Sequence, residues 1–215
     1  MNESFFGNSE FYAQRARLYD AMIGSSAYNK LFWGTSPNDY AAFAARAIGS
    51  GSGPLLEVAV GTARASRLLH LASARRTTLV DMSQPMLALA QETIRTAAGG
   101  RIPERITFEC RDMLEPSSEQ RYETILGLGL LHLIPDLPLV LSALGAQLDT
   151  SGSLFLGSLI KGSARSNTYL KLLKARGEIA EIRSASDIYE QAKDTNIGTV
   201  VVSHRGAMAY LVITR

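Results

Sequence analysis

Apolar residues recur along this chain in two rhythms, and the change between them falls in the loop Gly49-Ser50-Gly51-Ser52-Gly53-Pro54. Before the loop the rhythm is helical. From Glu10 to about Ile23, the residues Phe11, Tyr12, Ala16, Leu18, Tyr19, Met22 and Ile23 return every three or four positions, with Arg15, Arg17 and Asp20 between them. That spacing gathers apolar side chains on one face and predicts an amphipathic helix. Gly24-Ser25-Ser26 interrupts it, and a second short amphipathic piece runs from about Tyr28 to Trp33. Gly34-Thr35-Ser36-Pro37 reads as a turn, after which Ser36 or Asn38 caps a helix through Tyr40, Phe43, Ala44 and Ile48. Residues 1–8 read as a loose tail.

Beyond the loop, short apolar runs of strand length alternate with helical periodicity. Leu55–Val60 reads as a strand and Thr62–Ser73 as a helix. Thr77–Val80 is a strand with Asp81 at its carboxyl end. Ser83 caps a helix with Pro85 in its first turn, where a missing N–H costs little, and Met86, Leu87, Leu89, Ala90 and Ile94 form its buried face. Strands follow at Ile106–Cys110 and Thr124–Leu128, then a helix from Asp136 to Leu148 and a strand over Ser153–Ile160. Weaker helical patterns cover Thr168–Ile182 and Ser186–Lys193. Thr199–Ser203 and Ala207–Thr214 form a hairpin through His204-Arg205-Gly206. Strands alternating with helices mean a parallel sheet covered on both faces, and the hairpin adds an antiparallel strand. The length of 215 residues suits a single domain, read as a helical lid over 1–50 and an α/β core over 54–215.

Composition narrows the function classes. The formal charge of +2 is too mild to point to nucleic acid, and Arg75-Arg76, the only adjacent basic pair, reads as solvated surface. The single cysteine, Cys110, rules out an internal disulfide and suits a reducing compartment. The first residues lack a secretory pattern, and no apolar stretch reaches the roughly 20 residues that span a bilayer. The expectation is a cytoplasmic protein, monomer or homodimer, with a small-molecule substrate and neither nucleic-acid nor membrane partners.

Ligands of open α/β sheets sit outside the carboxyl ends of the strands. This sequence places Glu57, Ala59 and Gly61 after the first strand, Asp81-Met82 after the second, Asp112-Met113 after the third and Gly127-Leu128-Gly129 after the fourth. Asp81 follows Glu57 by 24 residues, near the distance at which an acidic residue takes the hydroxyls of a ribose. The segments LLEVAVGTAR, TTLVDMSQPMLALAQ, FECRDMLE and YETILGLGLLHLIPD carry a resemblance to the class I S-adenosylmethionine (SAM) methyltransferases. In the first, Ala59 and Ala63 replace the outer two glycines of the family's acidic-x-Gly-x-Gly-x-Gly motif; in the last, Glu123 and Leu133 depart from its usual Asp and second His.

The resemblance implies a doubly wound, mostly parallel sheet of seven strands with a C-terminal antiparallel hairpin and an N-terminal helical lid. It also implies SAM as cofactor. Glu57 and the turn at Ala59 and Gly61 would hold the methionine portion, and Asp81 the ribose hydroxyls. Met82 would pack on adenine, Asp112 would accept from its amino group with Met113 beside it, and Gly127 would use its backbone. Tyr19, in a Tyr-Asp pair that resembles one of small-molecule methyltransferases, would border the sulfonium, with Trp33 nearby. The altered loop is expected to be tighter or slightly displaced. A dinucleotide-binding domain competes, but it needs glycines where Ala59 or Ala63 stands so that a pyrophosphate can approach.

His132 is the leading general-base candidate, because imidazole titrates near neutrality. Its alternative is a structural histidine within LLHLIP; His70 and His204 read as surface residues. Metal use is not expected, since the fourth strand end lacks paired acids. The expected reaction is methyl transfer to a small metabolite or natural product. Alternatives within the fold are an internal displacement that releases methylthioadenosine, and a SAM-binding module without catalysis.

Overall fold

In a computed structural model, which describes residues 25–115 and 121–215, seven strands form one sheet. They are β1 (Leu55–Val58), β2 (Thr77–Asp81), β3 (Ile106–Cys110), β4 (Tyr122–Gly127), β5 (Leu148–Leu159), β6 (Thr199–Arg205) and β7 (Met208–Thr214). Their order is β3-β2-β1-β4-β5-β7-β6, with β1 to β5 parallel and β7 antiparallel to both β5 and β6. The chain leaves β1 toward β2 and β3, then returns to β4 on the other side. This reversal opens a crevice at the carboxyl ends of β1 and β4, where ligands of doubly wound sheets bind.

Every residue of β1 is buried, as expected for a strand covered on both faces. Side chains alternate across a strand, and the two faces meet different partners. Leu55 joins Phe43, Ala44, Ala47 and Ile48 of α1 (Pro37–Ile48). Leu56 and Val58 join Leu137, Leu141 and Leu144. The remaining helices are α2 (Arg67–Ala72), α3 (Gln84–Ala97), α4 (Leu137–Gln147), α5 (Ala164–Ala175) and α6 (Ala185–Lys193). Ser36, rather than Asn38, caps α1 in a reciprocal box: its hydroxyl accepts the Asp39 N–H, and the Asp39 carboxylate accepts the Ser36 N–H.

Several boundaries shift for local reasons. The predicted helix over Thr168–Ile182 is α5, which starts earlier because the Ser163 hydroxyl accepts the Ser166 N–H, and stops before Gly177, whose φ is +71°. β5 begins at Leu148, where it pairs with Tyr122 before a register shift. The lid piece is a helical turn, Ser26–Tyr28, running into a π-helical turn, Asn29–Trp33. It is tied to the terminal hairpin, since the Ala207 N–H donates to the Trp33 carbonyl at 2.7 Å. Gly206 is required at that contact, for a Cβ there would lie 2.1 Å from the same carbonyl oxygen.

Arg75 is buried, contrary to the surface expectation. Its guanidinium donates to the carbonyls of Ile48 and Gly53 and to the Thr124 hydroxyl, so it fastens the loop before β1 to β4. Among the described residues, no helix is long and apolar enough to cross a membrane. The first predicted helix, Glu10–Ile23, lies outside the described residues.

Candidate functional site

A cavity of about 760 Å³ opens at the carboxyl ends of β1 to β4, within the range typical of small-molecule sites. Glu57, Ala59, Gly61, Asp81, Met82, Asp112, Met113, Trp33 and His132 all line it. Tyr19 lies outside the described residues.

The loop after β1 shows why the altered motif still turns. Ala59, Gly61 and Ala63 have φ values of +50°, +57° and +56°, all left-handed. Glycine takes this conformation freely, whereas each alanine is disfavoured there by about 1–2 kcal/mol. The expected tighter or displaced loop is therefore a loop of glycine-like geometry built with strained alanines. The residues that expectation assigned to the start of a helix, from Thr62, are turns, and α2 begins only at Arg67. Compensation comes from packing and hydrogen bonds. Ala63 is buried with Val60, Leu79 and Leu87, and Ala59 packs on the main core. The Val60 N–H donates to the Val80 carbonyl at 3.1 Å, and the Arg67 N–H to the Ala63 carbonyl at 2.9 Å.

Asp81 joins this loop to β2. One carboxylate oxygen accepts the Gly61 N–H at 2.8 Å, and the other accepts the Ser83 N–H at 2.9 Å. Burial pushes its pKa above the ordinary value, and these two backbone donors offset part of the rise. Each oxygen keeps a lone pair for a further donor, which matches a vicinal diol. Beside it Met82 is 42% exposed, an apolar surface on the cavity wall suited to a flat base. On the next strand end, Asp112 accepts the Leu114 N–H at 2.9 Å, and Met113 is buried beneath the cavity. The residues present therefore fit an adenosyl group through a desolvated carboxylate, an apolar platform and a second carboxylate.

Glu57 is only 1% exposed, and both of its oxygens are engaged. One accepts the Ser66 hydroxyl at 3.1 Å and the other pairs with His70 Nε2. His70, expected at the surface, is 1% exposed. Gly127 does not line the cavity. It sits inside the sheet, where a Cβ would meet the Leu156 and Leu130 side chains at 2.7 and 2.9 Å; Leu128, Gly129 and Leu130 line the cavity instead. The glycine there answers to packing, which corrects the expected cofactor contact.

The lid side of the cavity is aromatic. Tyr28, Trp33, Tyr40, Tyr169 and Tyr210 line it, and the Trp33 and Tyr169 rings lie 5.4 Å apart by centroid. The Tyr28 hydroxyl donates to that of Tyr169 at 3.1 Å. Tyr169 and Tyr210 come from α5 and β7, and neither stands in a motif, so no local signal marks them. Arg176 and Glu178, also in the wall, pair with each other at 3.0 Å.

His132 is buried, and its Nδ1 accepts the Leu159 N–H at 3.2 Å. The neutral ring therefore carries its proton on Nε2 and can donate there. This corrects the general-base expectation, because the free nitrogen already holds a proton and the other is occupied. Burial lowers the pKa to about 4, well below the usual 6.5. The unfolded chain takes up this proton as pH falls through 6.5, while the folded one resists until about 4. Stability therefore drops on acidification, by about 2 kcal/mol at pH 5 from this group alone. Urea unfolding at pH 7 and pH 5 should show that loss, and His132→Gln should reduce it.

Among the described residues, no three His, Cys, Asp or Glu side chains are grouped to hold a metal ion.

Comparison with known proteins agrees with this geometry. Residues 55–152 match the family model of a methyltransferase domain. No curated protein matches the chain. Among solved structures, the phosphoethanolamine N-methyltransferase 2 of Haemonchus contortus, with phosphomonomethylethanolamine and S-adenosylhomocysteine, is 20% identical with a TM-score of 0.68; the match covers 90% of this chain and 44% of that one. The chain thus spans under half the length of that relative. The magnesium protoporphyrin IX methyltransferase of Synechocystis PCC 6803, with bound S-adenosylhomocysteine, is 17% identical at a TM-score of 0.67, covering 98% of this chain and 95% of that one. The geranyl diphosphate C-methyltransferase of Streptomyces coelicolor is 14% identical at a TM-score of 0.63, covering 90% and 86%.

Proposed function

We propose that this chain is a class I SAM-dependent methyltransferase whose acceptor is a small, neutral, partly apolar metabolite held against the aromatic side of the cavity. One observation carries the reading. A single cavity joins carboxylates at the strand ends to the wall of Tyr28, Trp33, Tyr40, Tyr169 and Tyr210. The structural neighbours named above are, by name, methyltransferases of phosphoethanolamine, magnesium protoporphyrin IX and geranyl diphosphate, so the fold does not choose the acceptor. The wall of this chain's own cavity supports the reading. Its aromatic faces suit a ring or hydrocarbon, and the internal Arg176–Glu178 pair leaves that guanidinium less available to a phosphate.

Bound SAM supplies a methyl group on a sulfonium, which the acceptor's lone pair takes as the carbon–sulfur bond breaks toward sulfur. The chain's contribution is placement. Asp81 accepts from the ribose hydroxyls and Met82 covers one face of adenine. Asp112 accepts from the adenine amino group, with Met113 beside it. The turn from Ala59 to Gly61 borders the methionine portion, and Glu57 supports that turn from beneath. Trp33 packs against the acceptor. His132 donates its Nε2–H to the acceptor and orients it, and the proton lost on methylation leaves to solvent. Alignment of lone pair, methyl and sulfur then supplies most of the rate, as expected where no base is placed.

Incubation with methyl-labelled SAM and a metabolite extract tests this. A labelled small product with equimolar S-adenosylhomocysteine supports it. Release of methylthioadenosine points instead to internal displacement, and tight SAM binding without any product points to a binding module.

A further inference from the structure

The loop after β1 holds two alanines in a conformation that favours glycine, and a buried set of side chains joins the residues on either side of it. Glu57 precedes the loop on β1, and Ser66 and His70 follow it. The Ser66 hydroxyl and His70 Nε2 both engage the Glu57 carboxylate, one on each oxygen, in a fully buried setting. His70 is in turn set by its helix: its N–H donates to the Ser66 carbonyl at 3.0 Å, and its own carbonyl accepts from the Arg105 guanidinium at 3.3 Å. The strand before the loop is thus clamped to the residues after it. Backbone strain of this kind persists where the surroundings over-determine it.

We propose that His70 is a positioning residue for the cofactor loop: by clamping Glu57 together with Ser66, it holds Ala59 and Ala63 in the left-handed turns that glycine would adopt unaided. The inference rests on the SAM reading above for its functional consequence, although the clamp itself concerns the free protein. His70 touches no cofactor; it acts through Glu57. A merely structural histidine would matter equally whatever residues stood at 59 and 63. A clamp for strained alanines matters less once they are glycine.

The test is a cycle. SAM binding is measured by calorimetry in the wild type, His70→Ala, the Ala59→Gly/Ala63→Gly double variant, and the triple variant. His70→Ala in the alanine loop should weaken SAM roughly ten- to hundredfold, the size of a lost charge-assisted hydrogen bond. In the glycine loop the same substitution should cost less than about threefold. An equal penalty in both loops overturns the proposal. If His70→Ala does not fold, Ser66→Ala removes the clamp's other bond and should show the same dependence on the loop; equal penalties overturn the proposal there too. His70→Gln, which keeps a donor, should recover part of the affinity. Hydrogen exchange of the Gly61 and Ala63 amides in ligand-free protein separates this from the cofactor reading. If the wild type binds no SAM, that reading fails, while faster exchange in the clamp variant still supports the clamp and unchanged exchange overturns it.

Discussion

Replacing Asp81 with alanine should weaken SAM binding by about 3 kcal/mol, roughly 150-fold at 25 °C. The effect is large because the carboxylate serves two sides of the site. Its oxygens already accept the Gly61 and Ser83 N–H groups, at 2.8 and 2.9 Å, and their remaining lone pairs face the ribose in our reading. Alanine removes both hydroxyl partners and leaves the Gly61 amide without its acceptor. The pH dependence follows from the same group. Burial raises the pKa of the free carboxyl, so acidification protonates it sooner than an ordinary aspartate. The protonated form accepts more weakly, and ribose donors favour the ionised form. SAM affinity should therefore hold near neutrality and fall as pH drops through the raised pKa. Calorimetry at successively lower pH from 7.5 should show this fall, and Asp81→Ala should be flat by comparison. Undiminished affinity in Asp81→Ala would remove Asp81 from the site.

Arg183→Ala is expected to destabilise the fold by about 3–5 kcal/mol. Arg183 is buried, and it donates to the carbonyls of Leu131, Ile134 and Pro135 at 3.0, 2.8 and 2.7 Å, and to the Gln191 side chain at 3.2 Å. One guanidinium thus satisfies the turn that carries His132 and joins it to α6. Alanine strands the buried Leu131 and Ile134 carbonyls away from water. Thermal unfolding should fall by roughly 6–20 °C for a chain of this size. Arg183→Met, which restores bulk without donors, should recover only a minor part. A loss below about 1 kcal/mol would show that water replaces the guanidinium readily.

Strands β1, β2 and β4 are readable because each apolar run ends on, or just before, a polar or small residue, and the residues at or after the ends of β1, β2 and β3 line one side of the cavity. Asp81-Met82 and Asp112-Met113 declare themselves this way. Ala59 and Ala63 do not, because a left-handed backbone announces itself in sequence only when glycine supplies it. Here the conformation is imposed by neighbours. Gly127 misled for the converse reason: a glycine at a strand end suggests close approach of a ligand, but Leu156 and Leu130 occupy that space. His70 and Arg75 look like surface residues because their partners are distant in sequence. Glu57 lies on another element from His70, and backbone carbonyls carry no side-chain signature at all. The aromatic wall is likewise assembled from the lid, α1, α5 and β7, and only the lid and α1 parts stand together in the sequence.

A crystal structure with S-adenosylhomocysteine bound is the most decisive measurement. The expected result has both ribose hydroxyls on the Asp81 carboxylate, adenine against Met82, and the sulfur pointing toward Tyr28, Trp33 and Tyr169. A ligand whose ribose lies away from Asp81, or whose sulfur points away from the aromatic wall, would contradict the proposed site and the acceptor class read from it.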